Sequence, residues 1–468
     1  MCKYSVLCRE KYTFFPRRTA FRCAAVLLQA GGRLTVQHEK RIVGPETARM
    51  LELGHPWVVA DSYTKKWPTG RIGQIVELCD GQGCFLGTAL HDPGDRVVAR
   101  LLSRERMRLD RGWLQKRLLA AIDLRRNHAD LTETDAYRLV NGEGDGLPGV
   151  TVDRYADYLM LQLYSAAWQP HLALFTSVLR ELLSPRGIYE KVRPRETREL
   201  ESVSDSKRYG RLLAGEEAPE WLKVRENGLS FLVTLEKGLN SGLFLDQRRN
   251  RYDLMKRVAG KRVLNLFAYT GAFSVAAAAS GAPLVTSVDA SPGYMDRAKE
   301  NFRVNRLDPK RHEFIVGECL AVLRDLAQRD KKYDIVIMDP PSFSTTAKSR
   351  FTTRGGTSDL VAAALKLLPD GGLLLASSNH QKVDVADYLK ELRRGALLAA
   401  SELRVISFSG QPEDFPYPVT FPEGRYLKYA VCVKSQIERG VRPRQQVAKT
   451  EKNIGQNYCG LKIKKQKT

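Results

Sequence analysis

From Val263 onward the chain alternates between two rhythms, and few folds accommodate that pattern. "RVLNLFAY" reads as a strand and "GAFSVAAAASG" as a helix; "LVTSVDAS" is again a strand and "PGYMDRAKENFRVNRL" a helix. "HEFIVGEC", the helix "LAVLRDLAQRD", the strand "YDIVIMDPP", a helix near 358–368 and the strand "GGLLLASS" continue the series. Strand-length apolar runs joined by helices and short links build a doubly wound, mainly parallel α/β sheet, since parallel neighbours need a crossover. No unit recurs at a fixed period, so a solenoid is excluded. One stretch raises a question of its own. In "YDIVIMDPPSFSTT" an apolar strand stops on Asp339 and meets Pro340 and Pro341 at once. Neither proline continues a helix or donates to a sheet ladder, so the stiff turn itself must be useful.

The 468 residues exceed one typical core, and the pattern upstream divides accordingly. Residues 33–110 read as short strands ("LTVQH", "WVVADSY", "GQIVELCD", "CFLGTALH", "RVVARLLS") broken by Gly, Asp and Pro, the spacing of a small β-barrel or sandwich. Residues 111–235 form an α+β connecting region. Its helix carries apolar residues at 114, 118, 119, 122 and 124 with a basic opposite face, and a hairpin follows in "VTVDRYADYLMLQLYS". The doubly wound domain spans 236–434. Residues 1–32, basic and poor in acids, read as an unstructured leader or an over-long start rather than a transit peptide. Residues 435–468 form a basic tail without apolar period, expected to be disordered.

Charge narrows the partners. Lys and Arg number 75 against 53 acids, a net +22, and a polyanion such as RNA is the simplest counterpart to that excess. No apolar run approaches the length of a membrane span, so no membrane partner is expected. The eight cysteines match no common zinc spacing and read as ordinary thiols of a reducing cytoplasm.

Ligands of a doubly wound sheet bind beyond the carboxyl ends of its strands. Four positions stand there: Gly271, where the first helix opens; Asp289, twenty-four residues beyond Asn265; Glu318, ending the third strand; and Asp339, ending the fourth. An acid at the Asp289 position commonly accepts both ribose hydroxyls of an adenosine, and Glu318 falls beside the adenine position. The G-x-G-x-x-G turn that a pyrophosphate needs is absent, Gly271 being the lone glycine of its turn. That favours S-adenosylmethionine over NAD. An Asp after a strand also serves as a plain helix cap, so it is the four positions in register that carry the reading.

"GLFLDQRRNR", "RVLNLFAYTGAFSVAAAASGAPLVTSVDAS", "AKENFRVNRL", "DIVIMDPPSFS" and "FPEGRYLK" together resemble the large-subunit ribosomal RNA methyltransferases that modify cytosine at C5. "GHPWVV", ending in "VVARLLS", looks like the PUA domain that opens members of that family, and "YRLVNGEGDGLPGVTVDRYADYLMLQL" resembles its connecting domain. The match covers roughly residues 35 to 434. The resemblance implies a Rossmann-like class I methyltransferase domain behind a PUA-like domain, with large-subunit ribosomal RNA as partner; a homodimer is left open. It implies that Asp289 and Glu318 hold ribose and adenine and that the loop with Asn265, Phe267, Tyr269, Thr270 and Gly271 holds the methionine end. Arg248, in "LDQR", would close over that end.

In this setting Asp339-Pro340-Pro341-Ser342 would lie between the cofactor's methyl group and a base drawn out of the RNA stack. The prolines stiffen the loop, and Asp339 offers acceptors to an exocyclic amine. Methylation at cytosine C5 further requires a nucleophile that adds to C6, usually a cysteine thiolate. Family members carry it after the next strand, where this chain has "GGLLLASSNHQK" with Asn379 in its place. A ring or exocyclic nitrogen needs no adduct, and Asn379 would then hydrogen-bond a base edge. Two alternatives stand beside nitrogen methylation: cytosine-C5 chemistry despite Asn379, or an inactive RNA-binding factor that retains S-adenosylmethionine.

Overall fold

The computed structural model describes residues 38–192, 207–341, 343–346 and 349–436, with side chains described outside 342–355. The expected leader, most of "LTVQH", Ser342 and the tail beyond Gln436 lie outside the described residues.

Five strands open the described chain: β1 (Glu39–Ile42), β2 (Trp57–Val59), β3 (Ile75–Cys79), β4 (Phe85–His91) and β5 (Val97–Ser103), in the order β1-β3-β4-β5-β2. Val58, Val76, Leu78, Ala89 and Ala99 form the core of this sheet. The sequence reading of strands alone missed α1 (Pro45–Glu52). Gly44 is its N-cap and Pro45 its first residue, where a missing N–H costs nothing.

Next comes α2 (Arg111–His128), capped by Asp110, whose carboxylate accepts from Trp113 N at 2.9 Å. Leu114, Leu118 and Ala121 are buried, as its period requires, whereas Leu119 is exposed. The basic face also sends Arg125 inward, against Asp145. A second sheet, ordered β10-β9-β8-β7-β6, comprises β6 (Ala136–Asn141), β7 (Val150–Tyr155), β8 (Tyr158–Leu163), β9 (Gly187–Lys191) and β10 (Gly210–Gly215). Here α3 (Leu172–Leu183) crosses between the parallel β8 and β9, and α2 and α3 share a core with the sheet through Leu118, Val152, Leu161, Phe175 and Leu179.

The hairpin of β11 (Leu222–Glu226) and β12 (Leu229–Val233) ties this sheet to the next. Val224 and Phe231 share one core with Tyr158 and Tyr189 of the second sheet and with Val275 and Phe302 further along the chain. After α4 (Arg248–Met255) the alternation proceeds as read. It runs through β13 (Arg262–Leu266), α5 (Ala272–Ala279), β14 (Leu284–Asp289), α6 (Pro292–Val304), β15 (Glu313–Val316), α7 (Cys319–Gln328) and β16 (Ile335–Met338). Beyond Pro341 the backbone forms a ribbon of β17 (Phe343–Thr346) and β18 (Ser349–Thr352), so the double proline ends membership of the main sheet without ending strand pairing. Then follow α8 (Thr353–Leu367), β19 (Leu373–Ser378), α9 (Val385–Leu398), β20 (Ser401–Ser409) and β21 (Lys428–Gln436).

The large sheet is ordered β15-β14-β13-β16-β19-β21-β20, parallel from β15 to β19, with β21 antiparallel to both of its neighbours, β19 and β20. Strand order reverses between β13 and β16, which makes their carboxyl ends the switch point where a cleft forms. The segment from Gly410 to Leu427 leaves this sheet and fastens the three parts of the chain. Asp414, fully buried, accepts from Arg248 Nη2 at 2.6 Å and from Arg138 N at 2.8 Å, while its carbonyl accepts from Arg125 Nη2 at 2.8 Å. Phe421 packs on Trp57 with ring centroids 4.7 Å apart, and Trp57 Nε1 donates to Glu143 at 2.7 Å.

Candidate active site

At the end of β13 the backbone turns through left-handed conformations at Phe267 (φ 57°), Tyr269 (φ 51°) and Gly271 (φ 77°). Only the last is a glycine. Non-glycine residues held there are strained by roughly 1–3 kcal/mol each, and such strain persists only where surrounding bonds dictate it. The bonds are present. Tyr269 N donates to Asp289 Oδ2 at 2.9 Å, Ala268 N to Val288 O at 2.9 Å, and Thr270 Oγ1 to Gly242 O at 2.6 Å. From below, Asn301 Nδ2 donates to Thr270 O at 2.9 Å. At Gly271 a methyl group would stand 2.7 Å from Ala298 Cβ, so α5 packs close on α6 only because the side chain is absent. Gly271→Ala should therefore destabilise the fold by about 1–3 kcal/mol in denaturant titration. Unchanged stability would refute the close-packing account.

Asp289 lies half-buried at the end of β14, its second oxygen accepting from Ser291 N at 3.0 Å. The ring of Tyr269 packs between Phe244 (5.2 Å) and Tyr294 (4.6 Å), an aromatic row beside that acid. Glu318 is exposed and caps α7, its two carboxylate oxygens accepting from Leu320 N at 3.0 Å and Ala321 N at 2.8 Å. Asp339 follows β16 with Pro340 buried and Pro341 exposed behind it. Its Oδ2 accepts from Gln247 Nε2 at 3.0 Å, and the same nitrogen donates to Ser377 Oγ at 2.8 Å. Burial, above all, pushes the Asp339 carboxyl up to about 6 against the hydrogen bond from Ser377; repulsion from Asp246 adds to the rise.

Directly after β19, the strand next to β16 in the sheet, comes Asn379, exposed. The loop beyond it is stapled by the buried Lys428, which donates to His380 O at 2.7 Å and Val383 O at 2.8 Å. Burial, reinforced by Arg425, pulls the Lys428 ammonium down to about 8.

The strand ends thus bring Phe267, Tyr269, Gly271, Asp289, Glu318, Asp339 and Asn379 to one edge. Three further residues expected to hold the cofactor carry side-chain bonds within the protein. Arg248 is buried and donates to Asp414 Oδ1 at 2.6 Å and to Asp130 O at 2.9 Å, because an interior charge needs a partner. Asn265, also buried, donates to Ser274 Oγ at 2.9 Å within the sheet, and Thr270 is tied to Gly242. The sequence reading quoted "LDQR" for its arginine and passed over Gln247. Its signal was available: Gln247, Asn250 and Arg251 are polar at helical i, i+3, i+4 spacing directly after the apolar "GLFL", and all three are buried.

An acid at the end of β14, a left-handed turn at the end of β13 and a proline-stiffened acid at the switch point, on a mainly parallel doubly wound sheet, define the class I methyltransferase architecture. Comparison with known proteins agrees. The family model for S-adenosylmethionine-dependent methyltransferases matches residues 199–420, and that for PUA-like domains residues 42–104. Ribosomal RNA large subunit methyltransferase I of Klebsiella pneumoniae subsp. pneumoniae is 33% identical over 383 residues, 81% of this chain and 94% of that protein. The protein of that name from Escherichia coli O139:H28 is also 33% identical, covering 81% of this chain and 95% of its own. Among solved structures, the methyltransferase SMU.776 in complex with SAH superposes with a TM-score of 0.76 at 31% identity, over 84% of this chain and all of that one. The chain belongs to the ribosomal RNA large subunit methyltransferase I family, enzymes dependent on S-adenosylmethionine. The resemblance read from the motifs is borne out.

Proposed function

We propose that this enzyme methylates a nitrogen of a base in large-subunit ribosomal RNA, in the cytoplasm, without forming a covalent adduct. The single observation that carries the reading is the position directly after β19, which is occupied by the exposed Asn379 and not by a thiol; the described cysteines stand elsewhere. Cys319 and Cys432 are buried, and burial pushes each thiol up to about 12. Cys79 is also buried, and Cys84 belongs with it to the first sheet's β3–β4 region. Thiols buried like those of Cys319 and Cys432 do not act as nucleophiles at neutral pH.

The edge fits the cofactor by its donors and its shape. Phe267 to Gly271 carries no basic side chain for a pyrophosphate, and Asp289 supplies the carboxylate that a ribose diol needs. Bound here, S-adenosylmethionine supplies an electrophilic methyl group. Asp289 would accept the ribose hydroxyls while its backbone donors hold it still. Phe267, Tyr269 and Gly271 shape the backbone cradle at the methionine end. Asn265, Thr270 and Arg248 brace that cradle from behind, and Glu318, whose oxygens already accept two backbone hydrogens, sets the first turn of α7 beside the adenine. Asp339 faces the base, accepting its N–H and, where the methylated nitrogen bears one, its proton at the carboxylate. Pro340 and Pro341 keep that oxygen in place, and Asn379 bonds the base edge. The first sheet and the basic tail are assigned to the RNA.

Two measurements test the reading. Mass mapping of ribosomal RNA nucleosides with and without the gene should lose an N-methylated nucleoside. RNA substituted with 5-fluorocytosine should leave no denaturation-resistant complex, since only an enzyme with a C6 adduct is trapped by fluorine at C5. A trapped complex that disappears with Cys319→Ala or Cys432→Ala would overturn the proposal in favour of cytosine C5.

A further inference from the structure

Gln247 ends the turn Leu245–Gln247 before α4 and is 3% exposed, yet it reaches the carboxyl ends of two neighbouring strands, β16 and β19. Its two amide hydrogens go to Asp339 Oδ2 and Ser377 Oγ. Its oxygen accepts from Asn250 Nδ2 at 2.6 Å, and Asn250, 1% exposed, accepts in turn from Ser409 Oγ at 2.8 Å. The direction of this relay is set from behind: reversing the amide would press Gln247 Oε1 against a carboxylate and Nε2 against the Asn250 donor.

We propose that Gln247 is a positioning residue that holds Asp339 as an ionised acceptor, so that the base admitted to the cleft is one presenting an N–H donor. The inference rests on the reading of Asp339 as the group that faces the base. Donors on a carboxylate favour its charged form, and an ionised carboxylate only accepts. A base edge that offers only lone pairs at that point is repelled, whereas an amino or imino N–H is held. The residue works against its surroundings. Asp246, whose carboxylate accepts from Tyr426 Oη at 2.7 Å, repels the charge, as does burial; Arg251 and Ser377 favour it. The hydroxyls of Tyr388 and Tyr429 complete the groups that sense Asp339. With Asp339 poised at about 6, loss of the Gln247 donors brings its protonation into the working range.

The test is the pH dependence of kcat/KM for methyl transfer from tritiated S-adenosylmethionine to ribosomal RNA of a strain lacking the gene. Wild type should lose activity as pH falls through about 6, because Asp339 takes up a proton. In Gln247→Leu and Gln247→Glu that limb should move up by about one pH unit, a tenfold change in proton affinity, with activity regained above it. Glu keeps the acceptor that Asn250 needs, so it preserves the fold should Leu fail to. Cofactor affinity should match wild type, and a lowered melting temperature is expected from the buried partners left unpaired. A limb that stays in place in folded Gln247→Glu, or a loss equal at every pH, overturns the role of Gln247. Asp339→Asn with full activity would instead overturn the reading on which it rests, so the two failures are distinct.

Discussion

Asp289→Ala should weaken S-adenosylmethionine binding by roughly 10- to 100-fold, about 1.5–3 kcal/mol, the worth of hydrogen bonds to a charged acceptor. Two losses coincide. The ribose hydroxyls lose their acceptor, and the amides of Tyr269 and Ser291, which point at that carboxylate, lose theirs. Tyr269 holds a left-handed conformation that this bond helps to impose, so the cradle relaxes as well. The fold should survive, because the residue is half-buried at a strand end and water replaces it as partner for the amides. Asp289→Asn, which keeps one oxygen, should fall between. Titration calorimetry decides the matter, and unchanged affinity in the Ala variant would remove Asp289 from the cofactor site.

The largest effect on stability is expected at Asp414, outside the chemistry. Asp414→Ala should cost about 3–5 kcal/mol in denaturant titration, because it strands a buried guanidinium without its counter-charge. Arg248 and Asp414 are both interior and pair at 2.6 Å, and Arg138 N donates to the same carboxylate. Arg248→Met in the same background should recover part of the loss, since an apolar pair of similar volume no longer buries a lone charge. A loss below about 1 kcal/mol for Asp414→Ala would mean that water reaches Arg248 and that the clasp is weak. Because Arg248 adjoins Gln247, loosening the clasp should also lower turnover.

These two predictions differ in where their residues could be found. Asp289 was legible because its meaning is local: an acid at the end of an apolar run, at a set distance after a first strand, in a chain whose alternation dictates a parallel sheet. The same logic located Gly271, Glu318 and Asp339, and the ends of β13 to β16 do converge on one edge. Strand and helix rhythms repeat over two to four residues, so the chain displays them to a reader who knows nothing of its tertiary contacts.

What that rhythm could not express is which polar side chain meets which. Gln247 and Asp339 are 92 residues apart, Arg248 and Asp414 166, Arg125 and Asp414 289. Nothing within a few residues of Asp414 marks it as a buried hub rather than a surface acid. Arg248 was read as a cofactor contact from the resemblance of "LDQR"; its partner in the folded chain, Asp414, is delivered by a distant segment that no local pattern announces. The sequence by itself determined the sheet, the strand-end acids and the missing thiol after β19. Tertiary structure alone decided the pairing of buried donors and acceptors, because burial makes an unpaired polar group costly and lets only the folded chain supply its partner.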